Sequence, residues 1–266
     1  MTPPDLSFWT LSLAALLVLA NAGLSLLLQL GIARQLLIAA ARMCVQLALI
    51  GLVLTQLFAR VSLGWTALAA LVMLAVAGYE VRSRQERRLR GWWSYGLGSS
   101  TMLLATVLVT LLALTVLLQP DPWYHPRYAL PLLGMILGNA MTGVSLGLNA
   151  LTTGAVRERL AIEAQLALGA TRWQALLPLT RQALRTGFMP IINSMAATGL
   201  VALPGMMTGQ ILAGADPAEA VKYQLLIMFL IAGATGSGVL LVVLGGIWRL
   251  TDERHRLRLD RLQRSE

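Results

Sequence analysis

RERLAIEAQLALGATRWQALLPLTRQALRTG, residues 157–187, is the one long polar-faced helical stretch between apolar runs. Residues 157–168 are helix formers throughout. Leu160, Ala164 and Ala167 or Leu168 recur at spacings of three and four, while Arg157, Glu158, Arg159, Glu163 and Gln165 fall largely elsewhere. The spacing predicts an amphipathic helix too polar to span lipid. Gly169 is placed to stop it in a left-handed conformation, and Thr171 followed by Gln174 matches a capping box that restarts the backbone as a second helix. The stretch therefore reads as a helix, a turn and a helix. Amphipathicity alone names no partner, because a basic segment of this kind can also rest on the inner face of a membrane.

Outside this stretch the chain is built for lipid. Its 266 residues are 57% hydrophobic and 12% charged, with a mean hydropathy of +0.70, too few charges to solvate a globule of that size. The formal charge of +9 sits in short loops between apolar runs, which fits anchoring to an inner leaflet and gives no reason to expect nucleic acid. Cys44 is the single cysteine and lies inside an apolar run, where a small buried residue is expected. No basic region precedes the first apolar run, so no cleavable signal is expected.

Seven apolar spans are predicted, at residues 8–30, 36–58, 63–81, 96–118, 129–151 and 189–212, and in a helix that starts at the Asp216, Pro217, Glu219 cap signal and continues through Trp248. Trp9, Trp65, Trp92, Trp93 and Tyr95 suit interfacial belts. Residues 119–128, with three prolines, read as an irregular connection, and 249–266 as a tail that is a solvated helix or disordered. Residues 1–248 thus form the membrane domain, with 157–187 projecting from it. Seven crossings put the two ends on opposite sides. Placing the tail inside gathers Arg34, Arg42, the five arginines of 82–90, those of 157–185 and the six of 249–264 on the cytoplasmic side. Only Arg60, Arg127 and Lys222 are left outside, so the N-terminus is expected outside and the C-terminus in the cytoplasm.

Catalytic motifs are missing. The only lysine, Lys222, follows no glycine turn, so the chain cannot hold nucleotide as a P-loop ATPase. The only histidines, His125 and His255, have no HExxH context. No enzyme activity and no cofactor are expected on this polypeptide.

Glu163 and Ala164 with Gly169, followed by Ala170, Thr171 and Trp173, resemble the EAA loop of ABC transporter permeases, with Gln165 in place of the second alanine. The runs LLGMILGNAM (132–141), LALGAT (166–171) and GLVALPGMMTGQILAGADPAEAVKYQ (199–224) are similar to the FetB-type family of ABC permeases, described as iron exporters with plant relatives linked to aluminium tolerance. That resemblance implies a homodimeric permease in a bacterial inner membrane. It also implies a separate ATPase subunit, carrying ATP and Mg, whose groove takes the short helix with Gly169 at its bend, and metal-ion export as the activity.

For a route through the membrane, Leu203-Pro204-Gly205-Met206-Met207 interrupts the sixth span. Proline removes a backbone bond, and the freed carbonyls must face protein or a watery path. Met206 and Met207 are either flexible packing residues or soft contacts to a metal. Oxygen ligands for a hard cation could come from Asn139, Asn193, Gln46, Gln210 and Glu80. Asn139 equally suits a bond to a neighbouring helix, and Glu80 suits pairing with Arg82 and Arg84. Gly134 with Gly138, Gly143 with Gly147, and Gly205 with Gly209 are spaced for close helix contact, within one chain or between two. An ion-coupled secondary transporter, or a scaffold that recruits another cytoplasmic partner, would share many of these features. The first would be expected to bury more carboxylates than Glu80.

Overall fold

The structure, a computed structural model, describes residues 7–263. Every regular element longer than a bridge is helical among the described residues: α1 (Phe8–Leu27), α2 (Ala33–Ala59), α3 (Leu63–Ser83), α4 (Trp93–Leu118), α5 (Pro126–Arg157), α6 (Arg159–Ala167), α7 (Arg172–Ala197), α8 (Gly205–Leu212) and α9 (Pro217–Leu250), with a 3-10 turn at Leu259–Arg261. Six of these, α1 to α5 and α9, are long and apolar enough to cross a membrane.

The residues fall into two compact units. The first runs to Val61 and takes in Leu212–Gly214. In it α1 and α2 form a hairpin whose turn uses positive φ at Gln29 and Gly31 and a bond from the Leu30 amide to the Ser25 carbonyl, 2.9 Å. Only Ala33 and Leu57 of α2 are buried, so its leucines, isoleucines and valines are displayed as lipid-facing side chains are. Cys44, expected to be buried, is exposed on this helix, because a span with few protein neighbours has no interior in which to hide it.

The second unit, residues 62–211 and 215–266, is built on α5, α7 and α9. A Cβ added to Gly143 of α5 would lie 2.7 Å from Thr235 Cγ2 of α9 and 2.8 Å from the Gly187 carbonyl of α7. Glycine is required there because the backbones of α5 and α7 meet under the Thr235 and Val239 side chains of α9. Gly143 with Gly147 thus serves packing inside one chain, whereas Gly138, Gly205 and Gly209 meet nothing within 4 Å. The pairings Gly143 with Gly187, Gly147 with Ala183 and Gly154 with Leu179 run in opposite directions along α5 and α7. Those of Gly143 with Val239 and Leu151 with Gly246 run the same way along α5 and α9. Hence α5 and α9 are parallel and α7 returns between them. Leu137, Val144, Leu148, Val239 and Val243 fill one part of the core, and Ile136, Ile191, Ile227 and Ile231 the other.

Three expectations change. Residues 189–212 are not one span. Residues 172–197 form a single helix that keeps Pro178 and Pro190 inside it and ends where Thr198 turns extended, Gly199 takes φ +91° and the Gly199 amide bonds the Ala202 carbonyl at 2.9 Å. α8 restarts only after Pro204. The connection before α5 is shorter than 119–128, since Pro126 occupies the first helical position and His125 caps it. The tail, over its described part to residue 263, is neither a free helix nor solvated throughout. Leu262 is buried, Leu89 and Leu262 form a bridge, and the Arg90 amide donates to the Arg261 carbonyl at 2.7 Å. Residues 264–266 lie outside the described residues.

The fourth span carries π-helical turns at Leu103–Val107 and Ala113–Leu118. Thr106 and Thr110 donate their hydroxyls to the carbonyls four residues back, at 2.6 and 2.7 Å. The α9 cap forms as its sequence predicts, Asp216 accepting from the Ala218 and Glu219 amides at 3.1 and 3.3 Å.

Candidate functional site

Gly169 adopts φ +90°, with nothing within 4 Å of a Cβ placed there. The Ala170 amide closes the end of α6 on the Gln165 carbonyl at 3.1 Å. Two residues on, both halves of the capping box are present. The Gln174 amide donates to Thr171 Oγ1 at 3.4 Å, and the Thr171 amide to Gln174 Oε1 at 2.9 Å. The turn between α6 and α7 is therefore fixed by local chemistry.

The faces of α6 are the reverse of what amphipathicity alone suggests. Ile162 is buried at 3% exposure, while Leu160 and Leu168 stand at 81% and 89%. Leu160, Ala164 and Leu168 make an exposed apolar ridge four residues apart, and Trp173 is exposed just beyond the turn. Glu163 sits beside the ridge and pairs with Arg159 at 2.8 Å.

The height of this ridge follows from α3. Just past the end of α3 the Gln85 side chain donates to the Ser145 carbonyl at 3.1 Å, and the Glu86 amide donates to Asn149 Oδ1 at 2.9 Å. The arginine-rich loop that bounds the span is thus level with residues 145–149 of α5. Arg157 is eight residues further along the helix, about 12 Å at 1.5 Å per residue. α6 starts just after it, at Arg159.

The residues considered for a route are dispersed. Glu80 pairs with Arg84 at 3.8 Å, an interfacial placement. Asn139 is exposed and donates to the Met135 carbonyl of its own helix at 2.8 Å. Pro204 and Gly205 open α8, Met206 packs against the core of α5 and α9, Met207 is half-buried, and Gln210 keeps a buried Oε1 with no partner. Among the described residues no three of His, Cys, Asp and Glu come together. Asn193 does lie in a cleft, of about 680 Å³, along one face of α7. It shares that cleft with Arg181, Gln182, Arg185 and Thr186, opposite the buried stripe of Leu176, Ala183, Gly187 and Ile191. These four were legible as a helical stripe by their spacing. Counting arginines for topology hides that pattern.

These features define a multi-span, all-helical membrane protein whose basic end carries an exposed helix-turn-helix. The chain belongs to the uncharacterised protein family UPF0014, whose profile matches residues 8–250. It is 41% identical over 229 residues to the UPF0014 membrane protein slr1647 of Synechocystis sp., covering 84% of each chain. It is 39% identical to the UPF0014 membrane protein STAR2 of Oryza sativa, over 84% of this chain and 76% of that one. With the probable iron export permease protein FetB of Escherichia coli it shares 29% identity over 96% of both chains. No solved structure matches.

Proposed function

We propose that this protein is the permease subunit of an ABC transporter that exports a metal ion, or its complex, across a bacterial inner membrane. It works as a homodimer with two copies of a separate ATPase, which carries the ATP and Mg, and this chain hydrolyses nothing itself. One observation carries the proposal: the Leu160, Ala164, Leu168 ridge is bare, on the helix that follows Arg157, which lies about 12 Å along α5 from the level of the end of α3. A bare apolar ridge past the arginine-rich loop suits a protein partner. The EAA-like sequence and the relative named an iron export permease favour an ATPase as that partner. The positive-inside rule puts this end in the cytoplasm with the tail, and the N-terminus outside.

Six apolar helices would leave both ends on one side. Because α5 and α9 run parallel, α7 supplies the return crossing, and its arginine, glutamine and asparagine face is a wall of the proposed route. Closure of the ATPases would move α6 and, through the rigid turn, α7. The test is ATP-dependent metal efflux by the chain reconstituted with an ABC ATPase that copurifies with it, compared with Gly169→Val. That substitution places a β-branched residue at φ +90°, at a cost of about 1–2 kcal/mol. Hydrolysis should persist while efflux falls. Full efflux by Gly169→Val, or efflux by the chain alone without ATP, would overturn the proposal.

A further inference from the structure

Where α9 ends, the tail folds back toward the start of α7, and the two enclose a cleft of about 370 Å³. Arg172, Arg249, Arg254, Arg256 and Arg261 line it. Of the two carboxylates in its wall, Asp252 is already engaged by Arg256 at 3.0 Å, while Glu253 is exposed. Arg172, Arg249, Arg254 and Arg261 have no carboxylate within ion-pair distance among the described residues.

The cleft is held open by backbone. Arg261 Nη1 donates to the Arg249 and Thr251 carbonyls at 2.7 and 3.2 Å. His255 Nδ1 accepts from the Arg172 amide at 3.2 Å, which ties the tail to the first turn of α7. The Nε atoms of Arg172 and Arg249 are buried with no hydrogen-bond partner, and the Arg172 guanidinium lies 5.5 Å from the Trp173 ring centroid. Four arginines without a carboxylate around one cleft leave a local excess of positive charge, which an anion would offset.

The surroundings say which anion. Trp248 lines the cleft at 56% exposure, and its ring centroid is 6.0 Å from that of Trp93. The Arg249 guanidinium lies 4.5 Å over the Trp93 ring. Trp93 opens one spanning helix and Trp248 closes another, at the basic end, where indoles mark headgroup depth. We propose that this cleft binds the phosphate of an anionic phospholipid headgroup from the leaflet at the basic end. Basic pockets between the ends of spanning helices suit such headgroups, and this one lies against the tryptophan pair. Because the tail also caps α7, the bound lipid braces the first turn after the exposed helix-turn-helix. The site stands on its own geometry and requires no ATPase.

The experiment is a thermal-melting titration of the purified full chain in phosphatidylcholine nanodiscs doped with phosphatidylglycerol. The wild type, Arg172→Gln/Arg254→Gln, and Arg34→Gln/Arg60→Gln are compared, the last removing the same charge from the ends of α2. Phosphatidylglycerol should raise the wild-type melting temperature. The half-maximal lipid fraction should rise about 30-fold in the cleft variant, given two arginines near a phosphate, and stay put in the α2 variant. If the double variant does not fold, Arg254→Gln, at an exposed position, should give a shift of about fivefold. An unchanged response in the cleft variants overturns the proposal. So does equal stabilisation by inorganic phosphate at millimolar concentration, which would assign the cleft to a free anion.

Discussion

Truncating the exposed ridge of α6 separates partner binding from folding. At 81% and 89% exposure, Leu160 and Leu168 contribute little to the isolated chain, so Leu160→Ala/Leu168→Ala should change its stability by no more than about 0.5 kcal/mol per site. Ile162, on the opposite face at 3% exposure, is the internal control. Ile162→Ala should cost about 2–5 kcal/mol. If an ATPase groove sheathes the ridge, each leucine contributes about 1.5–3 kcal/mol to the complex. Losing about 3 kcal/mol over the pair corresponds to a Kd weakened roughly 150-fold. The assay measures the affinity of nanodisc-embedded protein for the purified ATPase, beside a melting curve of the protein alone. Unchanged affinity would refute the docking surface. A melting temperature that falls as far as in Ile162→Ala would show that the protein itself covers the ridge.

Two further outcomes follow from the geometry. Gly187→Ala would put a methyl 2.5 Å from Val239 Cγ1 and 3.0 Å from the Gly143 carbonyl, which cannot retreat, so melting should drop by the equivalent of about 1–3 kcal/mol. Gly138→Ala meets nothing within 4 Å and should be neutral or slightly stabilising. A loss there equal to that at Gly187 would mean a second copy covers that face. The tail gives a pH window. Hydrogen bonds from Arg258 hold Asp260 down to about 2, and the Arg256 backbone amide lowers Asp252, both below the usual value of about 3.9. Their contribution is complete above about pH 4 and is lost as pH falls toward 2. Spin labels on Arg88→Cys and Gln263→Cys, in a Cys44→Ser background, should keep a fixed distance from pH 7 to 5 and spread below 4. Spreading at neutral pH would show that these carboxylates do not hold the tail.

Signals that act within a few residues could be read directly. Gly169, the Thr171 and Gln174 box and the Asp216 cap each satisfy backbone groups nearby, so sequence spacing suffices to place them. Long-range pairing leaves no such trace. The burial of Leu262 against Leu89 joins residues far apart in the chain, and the alternating charges around it look solvated in any local window. Hydropathy drew residues 189–212 as one helix for a related reason. Apolar residues on either side of Gly199 and Pro204 average into one window, whereas the left-handed glycine and the absent proline donor divide them.

As the proposed return crossing, α7 departs from the composition expected of a membrane span, and its position accounts for that. Its small and apolar residues, Ala183, Gly187 and Ile191, are spent on α5 and α9, leaving Gln182, Arg185 and Asn193 on the opposite side. Lipid would penalise that face, so water, cargo or another protein surface must cover it. The same helix runs unbroken from the Thr171 cap to Ala197, and its glycine contact with α5, packed under Val239 of α9, lies near its middle. A close-packed contact transmits displacement better than it absorbs it. In the proposed transporter, a push on the ridge of α6 would tilt α7 about that contact and swing Asn193 against the motion of Arg181, which would make the polar stripe and the exposed ridge one moving part.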